Sequence, residues 1–416
     1  MDSSTRAVPD GTRSPLHPPR SEGVPTLGWA AAPALDLTAS PVALTRALVD
    51  IPSESHHEAA IADAVETALR GVADRQATDH PDLPAVTVDR HGHTVVARTH
   101  RGLGRRVILA GHIDTVPAAD NLPSRSAPGA DGTEAVHGLG SVDMKSGDAV
   151  FLHAFATLAA SPELTADLTL IQYEGEEVAT RFNGLQHLAD DRPDLLEGDV
   201  AILGEPSGAV IEAGCQGTVR VKVTAHGRRA HSARAWLGEN AVHALGPVIA
   251  RVAADEPRQV DIDGCGYREG LNVVVAHAGV ATNTIPDEAW MFVNFRFAPD
   301  RSVDQALDHV WEVLGVGTPD APAEGFSLEV DDAAPGALPG LDRPAARALV
   351  EATGGRVRAK FGWTDVARFA GLGMPAVNFG PGDPGLCHTP EEHCPVHMIE
   401  TVSDQILRYL TTPEAS

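Results

Sequence analysis

The sequence RRVILAGHIDTVP, Arg105–Pro117, contains the feature around which the other motifs of the chain can be arranged. Its centre is the short apolar run Val107–Ala110, which is typical of a strand buried inside an α/β sheet. The run leads into His112 and Asp114, and residues two apart on a strand face the same side. Because ligands of open parallel sheets lie beyond the carboxyl ends of the strands, we predict that both side chains line a functional crevice.

Three further apolar runs also end in polar, chemically versatile residues. They are LTLIQY before Glu174-Gly175-Glu176-Glu177, DVAILG before Glu205, and PAVNF before a glycine-rich turn and His388. The segment GLGSVDMKSG places Asp143 just before an apolar helix. We therefore predict an α/β fold whose catalytic domain is a parallel-type mixed sheet with helices on both faces, gathering carboxylates and imidazoles at one edge.

A different pattern occupies residues 208–330. Strands with alternating apolar residues, such as Thr218–Ala225 and Asp287–Phe297, occur together with two amphipathic helices, Asn240–Ala253 and Val303–Leu314. The order β-α-β-β-α-β is the ferredoxin-like signature. This segment is therefore predicted to be an inserted ferredoxin-like α+β domain.

The insertion divides the predicted catalytic domain into residues 35–207 and 331–416. Residues 1–34 are rich in proline and small polar residues and are predicted to form a disordered tail.

Charge and cysteine content narrow the classes of function. The chain has 416 residues, a formal net charge of -25 and four cysteines without a C-x-x-C pair. Such an acidic chain is not expected to bind nucleic acid or anionic membrane surfaces, which require basic patches. No apolar run approaches the length of a membrane span, and the cysteine usage favours a reduced, cytoplasmic setting.

The residues at the strand ends form a candidate metal set, consisting of His112, Asp143, Glu177, Glu205 and His388. Imidazole and carboxylate groups suit zinc and similar divalent ions. Two histidines and three acids exceed the needs of one tetrahedral zinc that also holds water, but they fit two ions that share a bridging carboxylate. For each residue alone the alternative is a surface or capping role, as for Asp143 at a helix start.

The pair Glu176-Glu177 is the most informative part of this pattern. Adjacent side chains at a strand end point apart, so one carboxylate can bind metal while the other faces substrate. The free carboxylate can act as a general base toward a metal-bound water and then pass the proton to a leaving amine. Asp114 is predicted to orient His112 through its second ring nitrogen. The alternatives are a solvated acidic turn for the pair and a turn-forming role for Asp114.

Two residues of the predicted inserted domain are further candidates. His231 lies in GRRAHSARAW without an obvious partner in its own chain, and a structural histidine is the alternative. Arg296 lies on the polar face of a predicted strand and can pair with a substrate carboxylate. Its alternative is a rim salt bridge, which contributes little stability.

These motifs resemble the M20 family of two-zinc metallopeptidases and amidohydrolases. GHIDTVP, GSVDMKSG, the Glu pair, GEPS and the late histidine match its metal-site motifs in order, from about residue 36 to the C-terminus. The resemblance implies two Zn²⁺ ions per subunit, for which Co²⁺ can substitute. It implies these roles: His112 and Glu205 on one ion, Glu177 and His388 on the other, Asp143 between them, and Glu176 as general base.

The resemblance also implies a homodimer formed through the inserted domain. His231 would then reach the partner subunit's active site and stabilise the oxyanion of the reaction. Substrate carboxylate and amide groups would be bound by Arg296, Asn283, Gly362 and Thr364.

Segments such as NLPSR, REGLN and KFGWTDVARF resemble one branch of the family. Likeness to this branch implies hydrolysis of N-succinyl-LL-2,6-diaminopimelate to succinate and LL-2,6-diaminopimelate, in lysine and cell-wall precursor synthesis. The alternatives are another amidohydrolase of the family, such as an N-acetylornithine deacetylase or a dipeptidase, and, in another class, a metal-binding dimer or scaffold without catalysis. The intact Glu176 argues against the metal-binding dimer without catalysis, and the full ligand set argues against the scaffold. Gly175 and Leu139, which stand where the family often has Asp and Arg, remove no ligand.

Overall fold

The structure is a computed structural model that describes residues 34–129 and 131–413. Residues 1–33, nearly all of the predicted disordered tail, lie outside the described residues. The helices are α1 Pro41–Val49, α2 Ala59–Asp79, α3 Lys145–Leu158, α4 Gly184–Asp191, α5 Ala241–Ala254, α6 Val303–Leu314, α7 Pro344–Ala352, α8 Val366–Gly371 and α9 Val396–Thr411. Within the described ranges, none of them combines the length and apolarity that a membrane crossing requires.

The first eight strands are β1 Thr87–His91, β2 Thr94–Arg98, β3 Arg106–His112, β4 Arg125–Pro128, β5 Glu134–His137, β6 Asp167–Tyr173, β7 Val200–Leu203 and β8 Ile211–Ala213. Those that follow are β9 Gly217–His226, β10 Ala230–His231, β11 Gln259–Ile262, β12 Cys265–Arg268, β13 Gly270–Ala278, β14 Thr284–Ile285, β15 Glu288–Phe297, β16 Gly317–Thr318, β17 Ala321–Pro322, β18 Phe326–Ala334, β19 Val357–Ala359, β20 Ala376–Asn378 and β21 His393–Pro395.

Among the described residues, the larger sheet has the strand order β1-β2-β6-β3-β7-β20-β8-β19. Its central strands β6, β3, β7 and β20 are neighbours, and each pairs in parallel with the next. The pairings of β1 with β2, β2 with β6 and β20 with β8 are antiparallel, so the sheet is mixed. The four apolar runs identified in the sequence are these central strands, and their carboxyl ends therefore meet at one edge.

The run Val107–Ala110 is apolar throughout because helices cover both faces of β3. Val107 and Leu109 belong to a core that includes residues of α1, α2, α3 and α9. Ile108 and Ala110 belong to a second core, on the other face, with residues of α4 and α8. The predicted α/β architecture with helices on both faces is confirmed.

A second sheet has the strand order β13-β15-β9-β18, and all its pairings are antiparallel. Helices α5 and α6 cover one face, where Val221, Met291 and Phe295 pack with Leu245 and Val310. This strand order, with its two helices, is the predicted ferredoxin-like arrangement. Helix α6 has the predicted bounds because a capping box starts it at Ser302 and a left-handed glycine ends it.

The chain crosses between the two sheets at a pair of backbone hydrogen bonds, each 3.0 Å long, that Cys215 and Ala337 exchange. These crossing points differ from the predicted boundaries at 208 and 330, since β8 lies in the larger sheet and β18 extends to Ala334. β8 has three residues, which is too few to produce a periodic pattern. That the two parts act as separate domains stays a prediction.

Candidate metal centre and active site

Ligand atoms from histidine and carboxylate side chains lie together at the carboxyl edge of the larger sheet. They form three overlapping groups, in each of which the atoms lie within 4.8 Å of one another. The groups are His112, Asp143 and Glu205; Asp143, Glu177 and His388; and His112, Glu176 and Glu177. The structure therefore brings together the whole predicted metal set and the predicted general base.

Asp143 lies between the two histidines. Its Oδ1 is 3.1 Å from Nε2 of His112, and its Oδ2 is 3.3 Å from Nε2 of His388. Nε2 of His388 is also 2.9 Å from Oε1 of Glu177. Each oxygen of one carboxylate thus faces a different histidine, which is the arrangement that a bridging ligand between two cations requires.

Glu205, at the end of β7, completes the group around His112. Its side chain is buried, and among the described residues its Oε1 has no hydrogen-bond partner. A buried carboxylate oxygen without a partner is costly unless a cation or a proton satisfies it. The donor set and this atom fit a divalent ion at the position between His112, Asp143 and Glu205.

Asp114 holds the predicted general base through the backbone. Its Oδ1 accepts the backbone N–H of Glu176 at 3.0 Å, and its Oδ2 accepts that of Glu177 at 3.2 Å. Oδ2 also accepts the hydroxyl of Ser55 at 2.7 Å. The carboxylate therefore accepts three hydrogen bonds, two of which fix the turn after β6.

Asp114 contacts the second ring nitrogen of His112, as predicted, and its nearer group is the backbone carbonyl rather than the carboxylate. The ring Nδ1 lies 3.1 Å from the carbonyl oxygen of Asp114, and 3.6 Å from its nearest carboxylate oxygen. Donation from Nδ1 to the carbonyl leaves Nε2 free to face Asp143.

The carboxyl of Glu176 lies in surroundings that favour its neutral form. Burial raises the pKa of Glu176 well above its usual value, and the negative charges of Glu205 and Asp365 add to this effect, although the charge of His112 opposes it. A carboxylate with a raised pKa is suited to accept a proton from water near neutral pH.

The histidines of the centre prefer their protonated form when no metal is bound. Hydrogen bonds to Asp143 and Glu177 raise the pKa of His388 to about 10. Burial alone would lower the pKa of His112, but the hydrogen bond and charge of Asp143 outweigh it and hold that pKa well above 6.5.

The carboxyl of Glu205 also has a shifted pKa. Burial, with the charge of Asp143, raises the pKa of Glu205 to about 7.

Three of the remaining candidates lie in the segment predicted to be the inserted domain, on the two-stranded sheet of β10 and β14 and on β15. His231 ends β10, and Asn283 immediately precedes β14, with which β10 pairs; both residues are exposed. The carbonyl of Asn283 accepts the N–H of Ser232 at 2.8 Å. Among the described residues, no hydrogen bond or ion pair joins them to the metal set. Arg296 is exposed near the end of β15, opposite Thr218.

The last two candidates lie between β19 and α8. Gly362 is exposed, whereas Thr364 is buried and donates its hydroxyl to Oδ1 of Asn378 at 3.0 Å. The roles of these residues in substrate binding stay predictions.

Lys360 was not singled out from the sequence, although it begins the segment KFGWTDVARF. Its side chain is largely buried, and its Nζ lies 3.0 Å from Oε2 of Glu212. The positive charge of Lys360 also acts on Glu205, where it opposes the rise in the carboxyl pKa. No local pattern predicts this contact, because the residues come together only through the pairing of β19 with β8.

Comparisons with known proteins agree with this geometry. The model of the peptidase family M20/M25/M40 matches residues 108–412. A succinyl-diaminopimelate desuccinylase from Corynebacterium glutamicum is 54% identical over 380 residues, which are 91% of this chain and 98% of that protein. A putative succinyl-diaminopimelate desuccinylase from Mycobacterium tuberculosis is 54% identical over 378 residues, which are 90% of this chain and 99% of that protein.

Solved structures of low sequence identity share the fold. A tripeptidase from Staphylococcus aureus has a TM-score of 0.70 at 18% identity and covers 91% of this chain and 99% of its own. A dinuclear metal-binding peptidase of the M20 family from Bacillus subtilis has a TM-score of 0.60 at 17% identity, covering 89% and 96%. On the family match and the identity to its relatives, this chain belongs to the peptidase family M20/M25/M40.

Proposed function

We propose that this chain is a metal-dependent amide hydrolase that converts N-succinyl-LL-2,6-diaminopimelate and water to LL-2,6-diaminopimelate and succinate. The observation that carries the hydrolase assignment is the pair of ligand groups that share Asp143, with Glu176 beside them. The substrate assignment is supported by two relatives, each 54% identical over at least nine-tenths of the chain. Four free thiols support action in the reducing cytoplasm.

Two divalent ions, Zn²⁺ or Co²⁺ in its place, are part of this proposal. His112 and Glu205 would hold one, Glu177 and His388 the other, with Asp143 shared. When bound, such ions polarise the amide carbonyl and make water more acidic. The M20-family peptidase from Bacillus subtilis is described as dinuclear, which supports two ions. The imidazole and carboxylate donors support zinc.

The chain's own contribution to the chemistry is the movement of a proton. Glu176 accepts a proton from the attacking water as the new C–O bond forms, and then donates it to the amine nitrogen as the C–N bond breaks. Asp114 keeps Glu176 in place through the backbone hydrogen bond of 3.0 Å. In this proposal Glu176 moves the proton, whereas the adjacent Glu177 binds metal.

A homodimer would complete the site. His231 is exposed next to Asn283 and has no described contact with the metal set of its own chain, which supports its use in the active site of a second copy. There it would stabilise the oxyanion, and Asn283, Arg296, Gly362 and Thr364 would bind substrate carboxylate and amide groups.

Replacement of His231 by alanine is expected to lower kcat about 10²–10³-fold, the usual effect of removing one oxyanion donor, while the dimer persists. Steady-state kinetics and sedimentation of the same samples would measure both properties. His226→Ala is the matched control, since His226 is an exposed histidine five residues earlier, at the end of β9, and its Nε2 contacts Ser327. A loss of rate that appears only together with unfolding would assign His231 a structural role.

Metal binding at pH 7 is expected to release protons. His388, with a pKa of about 10, and His112, with a pKa well above 6.5, are protonated in the metal-free protein, and each must lose its proton to bind metal. The apparent affinity for zinc should therefore rise as pH increases toward 10 and fall as pH decreases. Calorimetric titrations in buffers of different ionisation enthalpy would measure the protons released. Identical heats in all buffers would contradict the prediction.

The proposed function is tested with protein that has been stripped by a chelator and assayed before and after addition of zinc. N-succinyl-LL-diaminopimelate and N-acetylornithine would be compared as substrates. Zinc-dependent cleavage of the succinyl compound alone supports the proposal. Cleavage of the acetyl compound instead would keep the hydrolase and reject the substrate, and zinc binding without cleavage of any amide, dipeptides included, would favour a metal-binding protein without catalysis.

A further inference from the structure

Glu392 has a buried carboxylate that the proposed mechanism does not use. This carboxylate lies at the centre of a loop. Oε1 of Glu392 accepts the backbone N–H of Val142 at 2.8 Å and of Asp143 at 3.1 Å. Oε2 accepts the backbone N–H of Gly140 at 3.0 Å. One side chain, four residues after His388, thus receives three hydrogen bonds from the loop that presents Asp143.

Backbone hydrogen bonds also join the loop around Gly138 to the segment around Glu392. The N–H of Gly138 donates to the carbonyl of Glu392 at 3.1 Å, and β5 pairs with β21 immediately beside this contact. Gly140 has a φ of +77°, a conformation that glycine adopts without strain, and a Cβ there would lie 3.0 Å from the side chain of Thr115. The loop is therefore shaped to wrap around the Glu392 carboxylate.

The two halves of the metal set differ in how they are supported. His112 is the last residue of β3 and Glu205 lies two residues after β7, and these are adjacent parallel strands of the larger sheet. His388 instead lies in a loop, with a φ of +62° and a side chain that is 50% exposed. A regular ladder of hydrogen bonds holds the first pair, whereas the position of His388 relative to Asp143 depends on contacts between loops.

We propose that Glu392 is a positioning residue that sets the spacing between Asp143 and His388. It thereby controls the affinity of the ion held by Glu177 and His388 more strongly than that of the ion held by His112 and Glu205, of whose ligands only the shared Asp143 lies in the anchored loop. The inference rests on the two-ion site of the proposed function. Glu392 itself touches neither ion nor substrate and acts only through the loop that it anchors.

The test uses Glu392→Gln in the full chain. A glutamine amide places N–H groups opposite the backbone N–H donors, so at least one of them loses its acceptor. Glu391→Gln is the matched control, because Glu391 is the exposed neighbour and undergoes the same change of charge. Zinc would be titrated into chelator-stripped protein in competition with a chromophoric chelator, and bound metal would be counted by elemental analysis.

We expect the affinity for the ion held by Glu177 and His388 to fall about 10–100-fold in Glu392→Gln, the usual effect of losing an outer partner of a metal ligand. The affinity for the ion held by His112 and Glu205 should fall less, because these two ligands are anchored to adjacent strands and only the shared Asp143 shifts. Glu391→Gln should match the wild type. Glu392→Asp, which keeps the charge on a shorter side chain, should lie between the two. If the glutamine variant does not fold, the aspartate variant must show the same selective loss.

Two results would overturn the inference. One is unchanged binding of both ions in Glu392→Gln, and the other is an equal loss of both ions with a lower Tm of the metal-free protein. These results are separate from failure of the proposed function. Two ions bound by a wild-type chain that hydrolyses none of the amides would reject the function while the role of Glu392 stands.

Discussion

Replacing Glu176 with alanine is expected to reduce turnover about 10²–10⁴-fold, the range of general acid–base catalysis, while both metal ions stay bound. Glu176 is fixed by Asp114 through the backbone, so its side chain can be removed without loss of that hydrogen bond. The variant keeps the water and the ions but loses the group that moves the proton. kcat and bound metal would be measured on the same preparation.

Glu177→Ala is the comparison for this variant, since the two residues are adjacent and identical. Glu177 contacts His388 at 2.9 Å, so its loss should reduce the bound metal rather than only the rate. Normal turnover in Glu176→Ala would refute its role as the base. A loss of metal in both variants would mean that the two carboxylates share one function.

Replacing Asp143 with alanine is expected to have the broadest effect on the site. Its two oxygens lie 3.1 Å and 3.3 Å from the ring nitrogens of His112 and His388, so its removal takes a ligand from both proposed ions at once. Zinc affinity at both positions should fall by more than the roughly 100-fold that outer partners contribute. Turnover should fall at least as far as in Glu176→Ala. Competitive zinc titration and kinetics at several zinc concentrations would measure these effects.

Asp304→Ala is a suitable control for this variant, because Asp304 is an exposed carboxylate in the first turn of α6. A protein that lacks the Asp143 carboxylate and still binds two ions with unchanged affinity would show that Asp143 does not bridge. Loss of one ion with retention of the other would place Asp143 on a single ion.

The elements that carry the site could be predicted because their signals are local. Apolar runs that are covered on both faces, such as Val107–Ala110, need no distant information to be recognised as central strands. The capping box at Ser302 and the left-handed Gly315 set the bounds of α6 in the same way. Parallel neighbours then place the strand ends at one edge, which is why the metal set could be assembled from residue types and order alone.

The supporting contacts could not be predicted, because their partners are far apart in the chain. Ser55 reaches Asp114 across 59 positions, and Glu392 reaches Val142 across 250. The hairpin of β11 and β12 lies in the chain between strands of the second sheet. Its residues Cys265 and Tyr267 nevertheless pack in the core of the larger sheet. Such contacts depend on the path of the whole chain rather than on periodicity.

Residue type and order were therefore sufficient to predict the fold class and the residues that meet at the strand ends, and they are the basis for the separate roles proposed for Glu176 and Glu177. Only the tertiary structure gives the distances from Asp143 to the two histidines, the three hydrogen bonds to the Asp114 carboxylate and the loop anchored by Glu392. The reason is physical. Local sequence controls which backbone conformations and buried faces are favourable, whereas the separation of two ligand atoms is set by the packing of distant segments.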